Sequence, residues 1–309
     1  MTADVDLLPE LEPSVEQLLG RHLATCQDWL PHTYIPWSTA TDYDGPLGGE
    51  PWTASQSGIA PAVRDALVIN LLTEDNLPSY HFEIATRFGR QRAWGEWVHR
   101  WTAEEDRHAH ALRGYLHATR AVDPVALERQ RMRTMSAGFH SDQPTPLHAL
   151  AYVMVQERAT REAHRNAGAA CNDHPGRLLM TRIAADENLH MLFYRDLYAD
   201  ALDMAPDLAA AALADAICNF QMPGTTIPGF QQRALRIAAA GIYNLTIHHD
   251  HVLQPLLRTL RVMTRSDLGK AGEQARQRIA RHMEQMQATA ARFNALYQRR
   301  GAGRAATCM

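Results

Sequence analysis

Two glutamates, each followed three residues later by a histidine, carry the clearest chemical signal in the sequence. They are Glu105 with His108 and Glu187 with His190. On an α-helix a three-residue step leaves both side chains on nearly the same face, so each pair can present a carboxylate and an imidazole to one point. A single pair of this kind arises easily by chance. Two pairs in one chain indicate a shared role.

Each pair is preceded by one further glutamate on the helix before it. Glu74 lies 31 residues before Glu105, and Glu157 lies 30 residues before Glu187. Two helices joined by a short turn are antiparallel neighbours, so residues placed in this way can lie at the same height. Two such hairpins facing each other would bring four carboxylates and two imidazoles together. This is the ligand pattern of di-iron and di-manganese carboxylate bundles.

The sequence around these six positions is largely apolar, which predicts that the charged groups are buried. Buried, unpaired carboxylates cost several kcal/mol each or take up protons instead, whereas two divalent cations would cancel four negative charges. Oxygen and imidazole ligands without a thiolate favour iron or manganese over a structural zinc site. The alternative is a set of surface salt bridges with nearby arginines.

Long stretches with helical periodicity and no strand-like alternation predict an all-α protein. The expected fold is a ferritin-like four-helix di-iron bundle with additional flanking helices. The predicted bundle helices cover residues 62–88, 94–119, 147–172 and 175–202, the flanking helices cover 207–220, 230–262 and 268–298, and residues 132–146 form a loop. Pro78 cannot donate to the carbonyl of Glu74 and must kink or bulge the first helix.

Three regions are expected along the chain. Residues 1–60 form an arm that wraps the bundle, residues 61–262 form the catalytic bundle with its extra helices, and residues 263–309 form a C-terminal helix with a tail that frays from Gly301. An apolar stripe on the last helix favours packing against the bundle.

Composition excludes several classes of protein. The chain has 309 residues and a net charge of −3, which argues against binding nucleic acid through a broad basic face. Its apolar runs are too short to cross a bilayer, and its acidic N-terminus is unlike a signal peptide, so we expect a cytoplasmic protein without a membrane span. The four cysteines are scattered and predict reduced thiols rather than a disulfide framework.

The motifs around the six positions resemble those of the soluble acyl-ACP desaturases, the family of plastid stearoyl-ACP desaturase and its actinobacterial relatives. The resemblance rests on four stretches, Thr73 to Tyr80, Trp101 to His108, Gln156 to Thr160 and Ala184 to His190, with weaker similarity at Asp28 to Pro31 and Gly241 to Tyr243. It covers residues from about 20 to 260.

This resemblance implies a homodimeric di-iron enzyme. Glu74 and His108 would bind one iron, Glu157 and His190 the other, and Glu105 and Glu187 would bridge them. Similar enzymes use O₂ and electrons from ferredoxin to remove two hydrogens from an acyl chain carried on acyl carrier protein. Because that carrier is acidic, we expect an arginine-rich docking surface and take Arg258 and Arg261 as its candidates.

Three further residues receive roles from their positions. Thr160 matches a family threonine thought to deliver protons, although its hydroxyl could instead bond its own helix backbone. Asp186 could accept a hydrogen bond from the distal nitrogen of His108, as metal-bound histidines usually require. Trp29 matches a family tryptophan on the electron route toward that pair, with simple packing of the arm on the bundle as the alternative.

Departures from the family pattern keep other functions open. Asn76, His81 and Glu83 follow Glu74 where the plant enzymes have less polar or amide residues, and His81 should return to nearly the same helix face as Glu74. The cluster His248 to His251 could bind metal, although an exposed polar turn is favoured.

The remaining alternatives to a desaturase are a di-iron acyl oxygenase or hydroxylase on the same scaffold, a ferritin-like ferroxidase, and a catalytically silent homologue that binds acyl-ACP. The six predicted ligands cannot separate a desaturase from an oxygenase.

Overall fold

The computed structural model describes the backbone of residues 7–306 and the side chains of residues 7–296. Within this range it contains helices and no strand, apart from an isolated bridge between Tyr43 and Glu50, so the all-α prediction is confirmed. The helices are α1 (Leu8–Thr25), α2 (Pro61–Glu74), α3 (Leu77–Phe88), α4 (Arg92–Ala118), α5 (Pro124–Ala137), α6 (Pro146–Ala170), α7 (His174–Met204), α8 (Pro206–Cys218), α9 (Phe230–Ala239), α10 (Leu245–Ile247), α11 (Gln254–Leu260) and α12 (Lys270–Ala306).

The starts of the central helices are set by local sequence. Thr145 and Asp173 sit at the N-caps of α6 and α7, where their side-chain oxygens accept from the backbone N–H of His148 and Gly176. Both helices have a proline in the first turn, where no intrahelical donor is lost. These signals fix the two long helices of the second hairpin.

The first predicted helix is broken, so its prediction as one helix over residues 62–88 is wrong. α2 ends at Glu74 and α3 begins at Leu77, with Asp75 and Asn76 between them. Pro78 lacks the N–H that would bond the carbonyl of Glu74, and the chain starts a new helix instead of continuing the old one. Glu74 is therefore the last residue of its helix.

Two further boundaries differ from the prediction. Residues 132–137 belong to α5, whose start is capped by Asp123, so the loop begins only after Ala137. The predicted helix over residues 230–262 is divided after α9 by Gly241, whose φ is +72°. The chain resumes at α10, capped by Asn244, and passes through a π-helical stretch (His248–Leu253) into α11.

The core consists of two apolar clusters with a polar layer between them. One cluster is formed by α1, α3, α8, α11 and α12 with one half of each of α4, α6 and α7, and the other by α2 and the opposite halves of the same three helices. On α4, for example, Trp101 belongs to the first cluster and Ala109 to the second. The predicted ligand residues lie between the two.

The N-terminal segment covers one side of the bundle. Helix α1 packs on α4 and α7. The irregular stretch that follows is held by Arg120, whose guanidinium donates to the backbone carbonyls of Thr41, Asp42 and Glu50 and lies over the ring of Tyr43. These contacts satisfy backbone acceptors that a loop would otherwise leave to water.

Three further expectations concern membrane-spanning helices, the C-terminal helix and the cysteines. No helix among the described residues is long and apolar enough to cross a membrane. Helix α12 buries Ile279, Met283 and Ala290 of the predicted stripe. Its backbone stays helical to Ala306, so the fraying predicted from Gly301 is not seen up to that residue, and residues 307–309 lie outside the described range. Cys26, Cys171 and Cys218 are free thiols, and Cys308 also lies outside that range.

An ion pair between Asp75 and Arg131 anchors the break after Glu74 to α5, and we expect its loss to destabilise the protein. Their side chains are 10% and 9% exposed. The substitution Arg131→Met leaves the Asp75 charge buried and unpaired, so the free energy of unfolding should fall by about 3–5 kcal/mol. Urea unfolding would measure this change. The double variant Asp75→Asn with Arg131→Met should recover most of the loss, and equal stability of the two variants would contradict the explanation.

Candidate metal centre

The six predicted ligand residues come together in the polar layer between the two apolar clusters. They form two groups whose oxygen and nitrogen atoms lie within 4.8 Å of one another and which can each hold a metal ion. One group contains Glu74 and His108, the other Glu157 and His190, and both contain Glu105 and Glu187. All six side chains are buried.

Glu105 and Glu187 occupy the centre of the arrangement. One oxygen of Glu105 lies 2.8 Å from Nδ1 of His190 and the other lies 3.2 Å from Nδ1 of His108. Oε1 of Glu187 lies 3.4 Å from Nδ1 of His108. Because Glu105 reaches both histidines, its position suits a carboxylate shared between two ions.

Unpartnered atoms provide an independent test of whether the residues fit metal ions. The buried side-chain atoms without a hydrogen bond include Nδ1 of His108, Nδ1 of His190 and Oε2 of Glu157. Buried polar atoms are normally satisfied, and these three face the cluster that the two groups define. A nitrogen and oxygen donor set of this kind fits a pair of divalent ions of the iron or manganese type.

The histidines carry strongly shifted pKa values. Burial alone would lower the pKa of His108, but the charge of Glu105 and the hydrogen bond to Asp186 raise it well above its ordinary value. The hydrogen bond with Glu104 and the charge of Glu105 raise the pKa of His190 in the same way against burial. The surrounding carboxylates therefore favour the charged form of both imidazoles.

The carboxylates divide into two kinds. Burial raises the pKa of Glu157 well above its ordinary value, and burial together with the charge of Glu187 raises that of Glu105. Glu187 behaves oppositely, because the neighbouring imidazoles of His108 and His164 outweigh burial and hold its pKa well below the usual range. The raised pKa values of Glu105 and Glu157 favour bound protons, which metal cations would displace.

Each metal-site histidine is oriented from its far nitrogen by an acidic residue. Nε2 of His108 lies 3.4 Å from Oδ2 of Asp186, and Nε2 of His190 lies 2.9 Å from Oε2 of Glu104. Asp186 occupies the place expected from the sequence. Glu104 was missed, although the signal was present, because it precedes Glu105 just as Asp186 precedes Glu187. Partners of this kind fix the orientation of a metal-binding imidazole, and here they leave Nδ1 facing the cluster.

Thr160 lies beside the central carboxylate. Its hydroxyl is 2.8 Å from Oε2 of Glu187 and 3.1 Å from the backbone carbonyls of Gln156 and Glu157. The side chain therefore reaches both of the partners considered from the sequence, and its single proton is shared among them.

Trp29 lies at the opposite side of the cluster. Its indole N–H donates to Oδ2 of Asp186 at 2.6 Å, and its ring stacks near His108 with centroids 6.4 Å apart. The side chain is buried and Arg107 lies over its ring. A continuous contact path therefore runs from the N-terminal segment through Asp186 to His108.

Helix α1 contributes a residue that the sequence did not reveal. His22 is buried, and its Nε2 lies 3.0 Å from Oε2 of Glu104. With Cys26 and Glu104 it forms a third group of metal-type ligands. Arg100 already donates to Glu104 at 2.6 Å, so a cation is present at this carboxylate.

Two expectations about histidines are wrong. His81 does not return to the face of Glu74, because the break between α2 and α3 redirects the chain, and Nδ1 of His81 lies 2.7 Å from the hydroxyl of Thr102 instead. The turn from His248 to His251 is not wholly exposed. His248 and His249 are buried, and His248 stacks on Phe220 with centroids 4.9 Å apart.

A largely apolar cavity reaches the cluster from one side. It touches Glu74, Glu105 and Thr160, and its walls come from α2, α3, α4, α6 and α9 and from the segments around residues 139, 222 and 242. The apolar lining includes Leu77, Ile84, Phe88, Val153, Phe230 and Ile237. Of the three polar departures after Glu74, only Glu83 lines this cavity, where it pairs with Arg87.

An all-α bundle with two glutamate and histidine groups in its core defines a ferritin-like protein of the di-metal carboxylate class. The profile of the fatty acid desaturase family matches residues 3–306, and the chain belongs to that family. Because a desaturase is an oxidoreductase, the protein is assigned to that class of enzyme.

Proteins that are similar to this chain in sequence or structure are named as acyl-(acyl-carrier-protein) desaturases. DesA1 of Mycobacterium tuberculosis, provisionally named an acyl-(acyl-carrier-protein) desaturase, is 45% identical over 304 residues, covering 96% of this chain and 90% of its own. The chloroplastic acyl-(acyl-carrier-protein) desaturase 7 of Oryza sativa is 30% identical over 300 residues, covering 89% of this chain and 73% of its own. The X-ray structure of M. tuberculosis DesA2, provisionally named in the same way, superposes with a TM-score of 0.71 at 31% identity and covers 84% of this chain and 96% of that one.

Metal binding should release protons and strengthen as pH rises. The raised pKa values of His108 and His190 mean that the metal-free protein holds protons which a coordinating neutral imidazole must lose. Calorimetric titration with Co²⁺ should be made between about pH 6 and pH 8, the range of an ordinary histidine. The raised pKa values favour protonated imidazoles there, so the affinity for Co²⁺ should increase with pH. Repeating the titration in buffers of different ionisation enthalpy should reveal net proton release. Affinity that is independent of pH would contradict this protonation pattern.

Proposed function

We propose that the protein is an acyl-ACP desaturase, which introduces a cis double bond into a saturated acyl chain carried on acyl carrier protein. The observation that carries the proposal is the apolar cavity beside the buried cluster, since it reaches Glu74 and Glu105 directly. A ferroxidase would have no use for an apolar cavity of this kind. The names of the relatives agree with the same substrate class.

Six residues would hold the cofactor. We propose that Glu74, Glu105, His108, Glu157, Glu187 and His190 bind two iron ions, with manganese as a substitute. When bound, the two metal ions would supply the O₂-dependent oxidation of two adjacent, unactivated methylene groups. The protein's own contribution is to position these two carbons, because an apolar cavity fixes the depth at which a hydrocarbon chain lies and excludes water around it.

Three residues would serve the proton and electron supply. The hydroxyl of Thr160, 2.8 Å from Glu187, can pass a proton between the cavity and that carboxylate. We propose that electrons from a ferredoxin-type donor enter past Trp29 and Asp186 toward His108, because these side chains are linked by hydrogen bonds. A cytoplasmic location and a homodimeric state remain predictions from the sequence.

Glu83 bears on the type of chain accepted. It lies in the cavity wall with Arg87, whose guanidinium also donates to the backbone carbonyls of Ser141 and Gln143. A charged pair in a largely apolar wall disfavours hydrocarbon next to it. This pair would restrict which chains fit.

The test is a product assay. Iron-loaded protein should be supplied with a ferredoxin reducing system, O₂ and a panel of saturated acyl-ACPs, and the products read by mass spectrometry. Loss of two hydrogens from one chain length is the expected result. Glu187→Ala protein, which lacks a central carboxylate, should give no product. Gain of oxygen would instead indicate an acyl oxygenase, and no product from a protein with two bound irons would favour a silent acyl-ACP-binding homologue.

Carrier docking can be tested by reversing one charge. Arg258 and Arg261 are exposed at the end of α11, and acyl carrier protein is acidic. The substitution Arg258→Glu should raise the KM for acyl-ACP by about tenfold and weaken its salt dependence, while kcat changes little. Arg292→Glu, at an exposed position on α12, is the matched control and should leave KM unchanged. An unchanged KM in the Arg258 variant would remove it from the docking surface.

A further inference from the structure

A third histidine lies against the cluster without belonging to either metal group. His164, on α6, is 1% exposed. Its Nε2 lies 3.1 Å from Oε1 of Glu74 and 3.5 Å from Oε1 of Glu187. It therefore contacts one terminal and one central carboxylate and also lines the cavity. A buried imidazole at this place can act on the geometry of both carboxylates.

The opposite nitrogen of His164 is occupied by an amide. Nδ2 of Asn70 lies 3.2 Å from Nδ1 of the imidazole. The amide therefore holds the imidazole from its far side, while Nε2 faces Glu74. Asn70 is one helical turn before Glu74 on α2. The three side chains thus link α2 to α6 and back to the last residue of α2.

The two oxygens of Glu74 have different neighbours. Oε1 faces His164, whereas Oε2 lies 3.8 Å from Nδ1 of His108, the unpartnered ligand-type atom. A donor fixed on Oε1 leaves Oε2 directed into the metal group. Because Glu74 is the last residue of α2, with the break directly after it, its backbone lacks the support of a continuing helix.

The corresponding carboxylate of the second hairpin, Glu157, is held in another way. Glu157 lies inside the continuous helix α6, and its Oε1 accepts from the indole N–H of Trp101 at 3.0 Å. His81 stands seven residues after Glu74, as His164 stands seven after Glu157, but the break directs His81 to Thr102. Only one of the two equivalent histidines therefore reaches the cluster, and it serves the glutamate at the helix end.

We propose that Asn70 and His164 form a positioning pair that holds the carboxylate of Glu74 in its ligand orientation. Asn70 holds the ring of His164 at Nδ1, and His164 donates Nε2–H to Oε1 of Glu74. The proposal rests on the di-metal centre proposed above and assigns the pair to one of its two sites. Neither residue is a metal ligand or a catalytic residue.

The test is a titration of the purified protein with Co²⁺, followed by its visible absorption and by calorimetry. The wild-type protein should bind two ions. His164→Leu should weaken the ion at the Glu74 group by about 10–100-fold, as expected for loss of a partner that orients a ligand, and affect the other ion, which shares Glu187, much less. His164→Gln retains an N–H donor at similar reach and should restore much of the affinity and the wild-type spectrum. Asn70→Leu should weaken the same ion to a smaller degree.

His81→Leu is the matched control, because it removes the histidine at the equivalent position of the other hairpin. It should bind both ions as the wild type does. Wild-type affinity for both ions in His164→Leu would overturn the positioning role, as would equal weakening of both ions that Gln fails to restore. Fewer than two ions in the wild-type protein would reject the di-metal centre itself, and the positioning role with it. A failure of the desaturation assay alone would leave this result standing.

Discussion

Burial of four carboxylates in one layer is the constraint on which the rest of the structure depends. Glu74, Glu105, Glu157 and Glu187 lie between two apolar clusters, where an unbalanced charge costs several kcal/mol. The raised pKa values of His108, His190 and Glu157 show how neighbouring charges and burial oppose an unbalanced negative charge, and two divalent ions would supply the balance more completely.

The outer acids connect the two hairpins. Asp186 precedes Glu187 on α7 but orients His108 on α4, and Glu104 precedes Glu105 on α4 but orients His190 on α7. Each histidine is thus aimed by the opposite hairpin, so neither site can form unless α4 and α7 pack in register. The exchange makes the two groups one cooperative unit and explains why acidic residues occupy equivalent positions in both repeats.

Much of this centre could be predicted because its spacing is a direct consequence of helix geometry. Glu105 and His108 share a face at three residues' distance on any helix, and Asp186 follows from the need of a metal-bound histidine for a partner. The break after Glu74 was harder to place, since Pro78 indicates a disturbance but does not say whether the chain kinks or starts a new helix. His164 was missed because its role depends on that break, which takes His81 away from the cluster. Helix α5 was missed because its apolar periodicity is weak, although Asp123 with Pro124 is a start signal.

The break also makes the two faces of the centre different. α6 runs unbroken past Glu157, whereas the chain after Glu74 sets off as α3 and lines the cavity with Leu77, Tyr80, Ile84 and Phe88. Among the described residues α7 contributes nothing to the cavity wall, and its face carries Asp186 and the contact with Trp29 instead. A substrate in the cavity would therefore approach from the side of α2, α3 and α6, and electrons from the side of α7 that carries Asp186 and contacts Trp29. The two sequence repeats are nearly equivalent as sets of metal ligands, but Pro78 breaks the helix of only one of them. The break places the substrate cavity on one face of the centre and leaves the other face for the entry of electrons.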